Sequence, residues 1–556
     1  MTDFFLSKSA DSWTLPSALR TRAELSPDAV FVRFGDQRAI SFAMMQRRAL
    51  AAACWLSGQG VARGQIVALA MPNSDETLVW WFALNLLGAI DAAINPSLRG
   101  EPLAHALRLV RARRVLAHPD LLPRFMELEQ NLPDLEKIWL VPDGVYLDGE
   151  LPATRFGIEV VSPVDSDGLG ILPRGISEPQ PQDVATIIYT SGTTGPAKAV
   201  QMTYAQVFVV AELTRQGLWL SADDTTYCAH PLFHMAARDC GVLPCLITGG
   251  SLALDVRFEP DKWVDRIIAT GATSTLMHGP LIEMVHAQPK RPEDSQMPLT
   301  RLGSSPFPRQ VASAFERRFR VKGIETWGMT EIGIPAWHPP NEALRPGSCG
   351  KVRDDWFEFR VADPQTGAPV PDGTVGEFQV RPKRPGVVMV GYYGQPALSD
   401  ADWFQSGDFG LRDPEGWLWF SGRAADRIRR RGENISAYDI ERAAGSIPRI
   451  QESAAIGVPS GYASDDDILL CVLPTPDAPS LEPAALLRQL AVELPHHMLP
   501  RYIRIMKAMP RSATGKIRKE TLKADFQASD CWDRQAEGVS VRSLYSLADG
   551  AAPDPE

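Results

Sequence analysis

The string YTSGTTGPAK at 189–198 crowds the hydroxyls of Thr190, Ser191, Thr193 and Thr194 and the glycines Gly192 and Gly195 into one loop, directly after an apolar run at 185–189. Backbone N–H groups and hydroxyls gathered in this way offer donors to an anion, and Lys198 adds a point charge suited to a polyphosphate. The loop is not a Walker A site, because Ala199 follows Lys198 where that motif needs a serine or threonine for magnesium. A metal ligand must come from elsewhere, and the string TWGMTEIG at 326–333 supplies Glu331. Magnesium takes one or two carboxylates and fills its shell with phosphate oxygens and water. Glu331 alone beside a bound nucleotide therefore suffices, and the Thr190 hydroxyl is a second candidate ligand. In the same string Trp327 is a candidate to stack on a base, next to Gly328 and Thr330.

These strings need a scaffold, and the flanking pattern predicts one. Residues 13–120 alternate helical patterns, such as 41–56, with short apolar runs, such as 66–70, which is the rhythm of an α/β sheet. The glycine-rich loop then sits at a strand end, where open α/β sheets put ligand sites. Alternation continues over 250–335, with a helix expected at 263–270 and a strand at 273–277. Residues 345–421 turn to short strands and turns. From 427 a smaller mixed unit follows, with helices near 438–444 and 483–493 and strands near 454–458 and 468–473. The expected organisation is an α/β N-terminal domain with a β-rich subdomain over 1–422, a hinge at 423–426, a small mobile α+β domain over 427–535 and a flexible tail at 536–556.

Composition bounds the partners. The chain has 556 residues, 44% hydrophobic and 22% charged, which is the mix of a globular protein with a sizeable core. Its net charge of -10 favours neither nucleic acid nor an anionic membrane, so anionic ligands must be held by local sites. The longest apolar stretch, 78–90, is interrupted by Asn85 and is too short to span a bilayer; it reads as a buried helix. The opening residues MTDFFLSK have neither a basic region nor a sustained apolar run, so a secretory signal is not expected. Seven scattered cysteines argue against a disulfide framework and fit a reducing cytoplasm.

Taken with WFQSGDFG at 403–410, SGR at 421–423, RRRGENIS at 429–436 and PRSATGK at 510–516, the two strings resemble, in order and spacing, the motifs of the adenylate-forming superfamily. That superfamily includes acyl-CoA synthetases, peptide-synthetase adenylation domains and firefly luciferase. The resemblance spans about 15–530, and the 429–436 string is most similar to carnitine/crotonobetaine-CoA ligase-like enzymes. It implies that Asp408 accepts from both ribose hydroxyls with Arg423 assisting, that Gly303, Ser304 and Ser305 line the adenine pocket, and that Arg429 lies near AMP. Thr330 would reach the α-phosphate and Glu331 the magnesium, while Arg431 and Gly432 would meet coenzyme A. Lys516 would stabilise charge as a carboxylate attacks the α-phosphorus. His234 would gate the acyl pocket. Arg238, four residues on, is read either as pairing with a polar group of the acid, if that segment is helical, or as one half of a structural salt bridge, the favoured reading.

The implied activity is a cytoplasmic, AMP-forming carboxylic acid–CoA ligase using ATP, Mg2+ and coenzyme A in fatty or carboxylic acid metabolism. An acyl-AMP ligase that loads a carrier protein, a luciferase-like oxygenase and a non-catalytic AMP sensor are the competing readings. The acid stays unspecified. Its lining candidates, His234, Met235, Arg238, His278, Gly279 and 327–333, favour a compact or functionalised acid over a long straight chain. A homodimer is left open. Two positions depart from the family pattern: Ala199 stands where a glycine is usual, which would stiffen the loop if φ > 0 is needed, and Ala425 stands where many relatives carry a charged hinge residue.

Overall fold

The helix Phe42–Gly58 begins where the Ser41 hydroxyl accepts the amide of Met44, and it buries Phe42, Met45, Ala49, Ala53 and Leu56 on one face. The next elements continue the alternation: strand Ile66–Ala70, helix Asp75–Leu86, strand Ile90–Ala93. Residues 78–90 are thus a buried helix that stops short of the expected end. Gly88, at φ 64°, turns the chain into the left-handed region, and Ile90 then joins the sheet. These elements are seen in a computed structural model that describes residues 12–540 apart from 36–37, 143–150, 153, 162–175, 191–196, 229, 424–426, 431–432, 461–465, 477–480, 495–497 and 513–514.

The chain divides into two compact units, one made of 1–359 and 380–404, the other of 360–379 and 405–556. The first holds two α/β sheets. In one, six parallel strands run in the spatial order Val30–Phe34, Ser251–Leu254, Thr225–Cys228, Ser274–Met277, Arg301–Ser304 and Lys322–Met329. In the other, Val184–Thr190 lies parallel to Ile90–Ala93 and antiparallel to Lys198–Thr203, which in turn pairs with the short strand Gly391–Tyr392. Both faces of such parallel strands are covered, and for this reason they read as continuous apolar runs.

In the second unit the strands Phe404–Arg412 and Trp417–Arg423 form an antiparallel pair. Beyond the two-stranded ribbon Arg427–Arg430 and Glu433–Ser436 stands a four-stranded sheet: Ile450–Pro459, Asp466–Pro474, Tyr502–Ile505 and Trp532–Asp533. The helices Ala437–Gly445 and Pro483–Glu493 share a core with it, built on Ile440, Leu470, Val472, Leu487, Leu490 and Ile503. The β-rich stretch 405–423 falls in this unit, and hinge residues 424–426 and tail residues 541–556 lie outside the described residues. Among the described residues no helix is long and apolar enough to cross a membrane.

Candidate active site

Three parallel strands of the first sheet end side by side at Cys228, Met277 and Ser304, with Met277 and Ser304 in register, while the fourth, Lys322–Met329, pairs Glu325 with Ser304 and runs beyond it to Met329. Each is followed at once by residues able to do chemistry, which is how an open α/β sheet assembles a site from distant segments. His230 and His234 follow the first strand, His278 and Gly279 the second, Ser305 and Pro306 the third, Thr330 and Glu331 the fourth. The His230 and His278 rings lie 4.3 Å apart between centroids, and His234 approaches His278 edge-on at 5.8 Å. His234 Nδ1 accepts the Ala236 amide at 3.1 Å and so caps the short helix Met235–Ala237. A Cβ on Gly279 would sit 3.2 Å from the Pro306 carbonyl oxygen, a tight contact that the neighbouring turn would have to ease by a few tenths of an ångström. Met235 is buried beside His234.

Thr330 and Glu331 occupy the turn between antiparallel strands Lys322–Met329 and Gly333–Trp337. The hairpin is so close that a Cβ on Gly328 would lie 2.1 Å from the Gly333 carbonyl oxygen. Gln206 Nε2, from the buried start of helix Tyr204–Gly217, donates to the carbonyls of Thr330 at 2.9 Å and Glu331 at 3.3 Å. The Met389 amide donates to the same Glu331 carbonyl at 2.9 Å. Trp327 is packed inward, edge-on to Phe359 at 6.0 Å, and is only 4% exposed. That placement makes it a wall of the core rather than an open platform for a base.

The glycine-rich loop closes a hairpin, with Thr190 paired opposite Lys198; Ser191, Gly192, Thr193, Thr194 and Gly195 lie outside the described residues. Helix Gly100–Leu109 ties down the base of the loop. Tyr189 donates its hydroxyl to the Ala106 carbonyl at 2.8 Å, and His105 Nε2 lies 3.0 Å from the Ala197 carbonyl. Ala199 is a buried strand residue opposite Tyr189 and belongs to the core of the second sheet. A positive φ is therefore not required at Ala199, and its methyl packs instead of straining the loop. The Lys198 ammonium sits over the Tyr392 ring, 4.6 Å from its centroid, and the Tyr392 hydroxyl donates to Glu331 Oε1 at 2.9 Å.

Arg238 does not line an acid pocket. It is buried in the π-helical turn Arg238–Val242, where its guanidinium pairs with Asp91, donates to the Leu232 carbonyl and covers the Trp81 ring at 4.9 Å. The segment is helical up to Arg238, whose amide donates to the His234 carbonyl at 3.3 Å, but the buried Asp91 carboxylate and the Leu232 carbonyl take its guanidinium.

In the second unit Asp408 and Arg423 are directly opposed across their strand pair. Asp408 is buried, its amide donates to the Ser406 hydroxyl at 3.0 Å, and the Gly407 amide donates to Glu377 at 3.1 Å. Arg429 lies in the ribbon opposite Asn434, while Arg431 and Gly432 lie outside the described residues. Lys516 is exposed at a tight turn, in which Gly515 has φ 81° and the Ser512 amide donates to the Lys516 carbonyl at 2.8 Å. Arg511 braces that turn through Glu452 and the Gly515 carbonyl.

Glu331, Thr330 and Thr190 offer hard oxygen donors, the type magnesium takes. Among the described residues no group of three His, Cys, Asp or Glu side chains could hold a metal ion. A metal at Glu331 would thus complete its shell with phosphate oxygens and water, so the donor set suits magnesium arriving with a nucleotide. The residues that spacing did not single out are Tyr392, Gln206 and His230. The GYY string at 391–393, two aromatics after an apolar run, was the available signal for the first.

Glu325 lies in the strand that delivers Glu331, and burial pushes its carboxyl up to about 8, against the amides of Gly347 and Phe307 that favour the charge. Between the ordinary glutamate range near 4.5 and about 8, the folded chain keeps a proton that the unfolded chain has lost. Stability therefore falls as pH rises through that window, by up to roughly 1.4 kcal/mol per pH unit, and levels off above it. Glu325→Gln should flatten the slope, so its apparent Tm should gain on the parent protein from pH 5 to pH 8. A constant difference across that range would mean that Glu325 is charged throughout.

The AMP-binding enzyme family matches residues 19–393, and the AMP-binding enzyme C-terminal domain matches 439–516. Over 515 residues the chain is 28% identical to a sulfoacetate–CoA ligase of Cupriavidus necator, covering 91% of this chain and 96% of that protein. It is 27% identical over 504 residues to a crotonobetaine/carnitine–CoA ligase of Salmonella paratyphi A, covering 88% and 94%. The fold is similar to that of the anthranilate CoA ligase AuaEII in complex with anthranoyl-AMP, with a TM-score of 0.81 and 24% identity over 93% of this chain and 98% of that one. It is also similar to ATP-bound MatB from Rhodopseudomonas palustris, with a TM-score of 0.77 and 22% identity over 91% and 98%.

Proposed function

Because this chain belongs to the AMP-binding enzyme family, we propose that it is an ATP-dependent carboxylic acid–CoA ligase acting through an acyl-adenylate. A carboxylate is a poor acyl donor, since its leaving group would be oxide. In the first half-reaction a carboxylate oxygen attacks the α-phosphorus of ATP, the bond to the bridging oxygen breaks, and pyrophosphate leaves. In the second, the thiol sulfur of coenzyme A attacks the acyl carbon, the thiol proton is lost, and AMP departs.

The observation that carries this reading is the side-by-side arrangement of Lys198, Tyr392 and Glu331 next to the turn bearing Thr330. It offers a cation for polyphosphate and a carboxylate for a metal without letting the two collapse together. Thr330 binds the α-phosphate, Lys198 the β and γ oxygens, and Asp408 with Arg423 the ribose. Glu331 and Thr190 would hold Mg2+, which when bound neutralises charge on the phosphates. Lys516 offsets the negative charge that grows as the acid attacks. His234 and His278 border the acid, with Met235 and Gly279 shaping its room. The hinge at 423–426, the mobile domain at 427–535 and the roles of Arg429, Arg431 and Gly432 belong to the same proposal. A compact acid able to accept hydrogen bonds is supported by the three imidazoles and by relatives named for sulfoacetate and for crotonobetaine or carnitine.

The test is pyrophosphate release over a panel of short substituted acids, run with and without coenzyme A. The expected result is acid-dependent pyrophosphate, with AMP and acyl-CoA formed in equal amounts once coenzyme A is added. Adenylation with no thioester formed would end the CoA reading.

A further inference from the structure

The segment 389–393 is held between the two sheets of the first unit. The Met389 amide reaches the Glu331 carbonyl at 2.9 Å, while the Val390 and Tyr393 amides pair with Gln201 and Ala199 of the strand that starts at Lys198. Tyr392 is thereby fixed between the phosphate-loop strand and the Glu331 turn, 61 residues before it in the chain. Its two polar features are used at once. The hydroxyl donates to the Glu331 carboxylate at 2.9 Å, and the negative face of the ring carries the Lys198 ammonium at 4.6 Å.

A lysine and a glutamate that share one aromatic neighbour are candidates to pair with each other, and each would then be unavailable to a nucleotide. Among the described residues, neither makes one. We propose that Tyr392 is a positioning residue for nucleotide and metal: it holds Glu331 by its hydroxyl and Lys198 by its ring, and keeps the two charges apart until the metal–polyphosphate takes both. The inference rests on the proposed roles of Lys198 and Glu331 and adds a residue that acts through both.

The hydroxyl and the ring separate by substitution. Tyr392→Phe keeps the ring and should weaken Mn2+ binding, read by EPR in the presence of a non-hydrolysable ATP analogue, by about tenfold, the loss typical when a metal ligand loses its hydrogen-bonded support. The KM for ATP should then change little at saturating metal. Tyr392→Leu should lose the same metal affinity and, by releasing Lys198, raise KM for ATP a further ~2- to 5-fold. Glu331→Ala and Lys198→Ala are the reference variants. If Glu331→Ala weakens Mn2+ binding and Tyr392→Phe does not, the positioning role is overturned while the site reading stands. If Glu331→Ala leaves Mn2+ binding unchanged, the site reading itself falls and this inference with it.

Discussion

Lys516→Ala will lose about 10²-fold or more of acid-dependent pyrophosphate release and will still convert supplied acyl-AMP and coenzyme A to thioester. The asymmetry follows from where charge develops. In the first half-reaction the α-phosphate passes through a state with more negative charge on its oxygens, and an ammonium is worth several kcal/mol there. In the second, the charge appears on the acyl carbonyl and departs with AMP, and Lys516 has no part. The variant should fold normally, since Lys516 is an exposed residue whose backbone carries the turn contact with Ser512. Rapid-quench measurement of each half-reaction checks the result. Equal losses in both would show that one arrangement of the chain serves the whole reaction.

The second large effect concerns stability. Arg238 is buried, and its partners Asp91, Thr186 and the Leu232 carbonyl satisfy it without solvent. Removing one member of such a pair leaves the other unmatched, so Arg238→Ala should cost about 3–5 kcal/mol of folding stability. Burial already pushes the Asp91 carboxyl up, so without its arginine Asp91 is expected to take a proton rather than remain charged. Replacing both members with apolar residues, Arg238→Met with Asp91→Leu, should recover most of the loss, because a packed apolar pair has no charge to desolvate. Apparent Tm and solubility of the single and double variants decide this. If Arg238→Ala keeps its Tm but loses affinity for the acid, Arg238 belongs to the pocket after all.

Much of the scaffold was legible because its signals are local. The strand Ile66–Ala70 and the helices Trp263–Thr270 and Pro483–Glu493 have the expected bounds, since apolar period and flanking glycine or proline act over a few residues. The apolar run at 78–90 was harder, because helix and strand share the same residue types and the break depends on Gly88. Asp408 and Arg423 were legible as strings. Their direct opposition is a matter of strand register, which the hairpin turn decides.

The sequence alone determined the order of the motifs, the type of most elements and the chemical repertoire of Lys198, Thr330, Glu331, Asp408 and Lys516. Only the tertiary structure decided that Arg238 turns to Asp91, 147 residues earlier in the chain, and that Tyr392 joins Lys198 to Glu331. Periodicity tells which face of a helix or strand a residue occupies. Which distant side chain it meets depends on how the sheets pack, and burial then makes an ionisable group either find a partner there, as Arg238 does, or take up its neutral form, as Glu325 does.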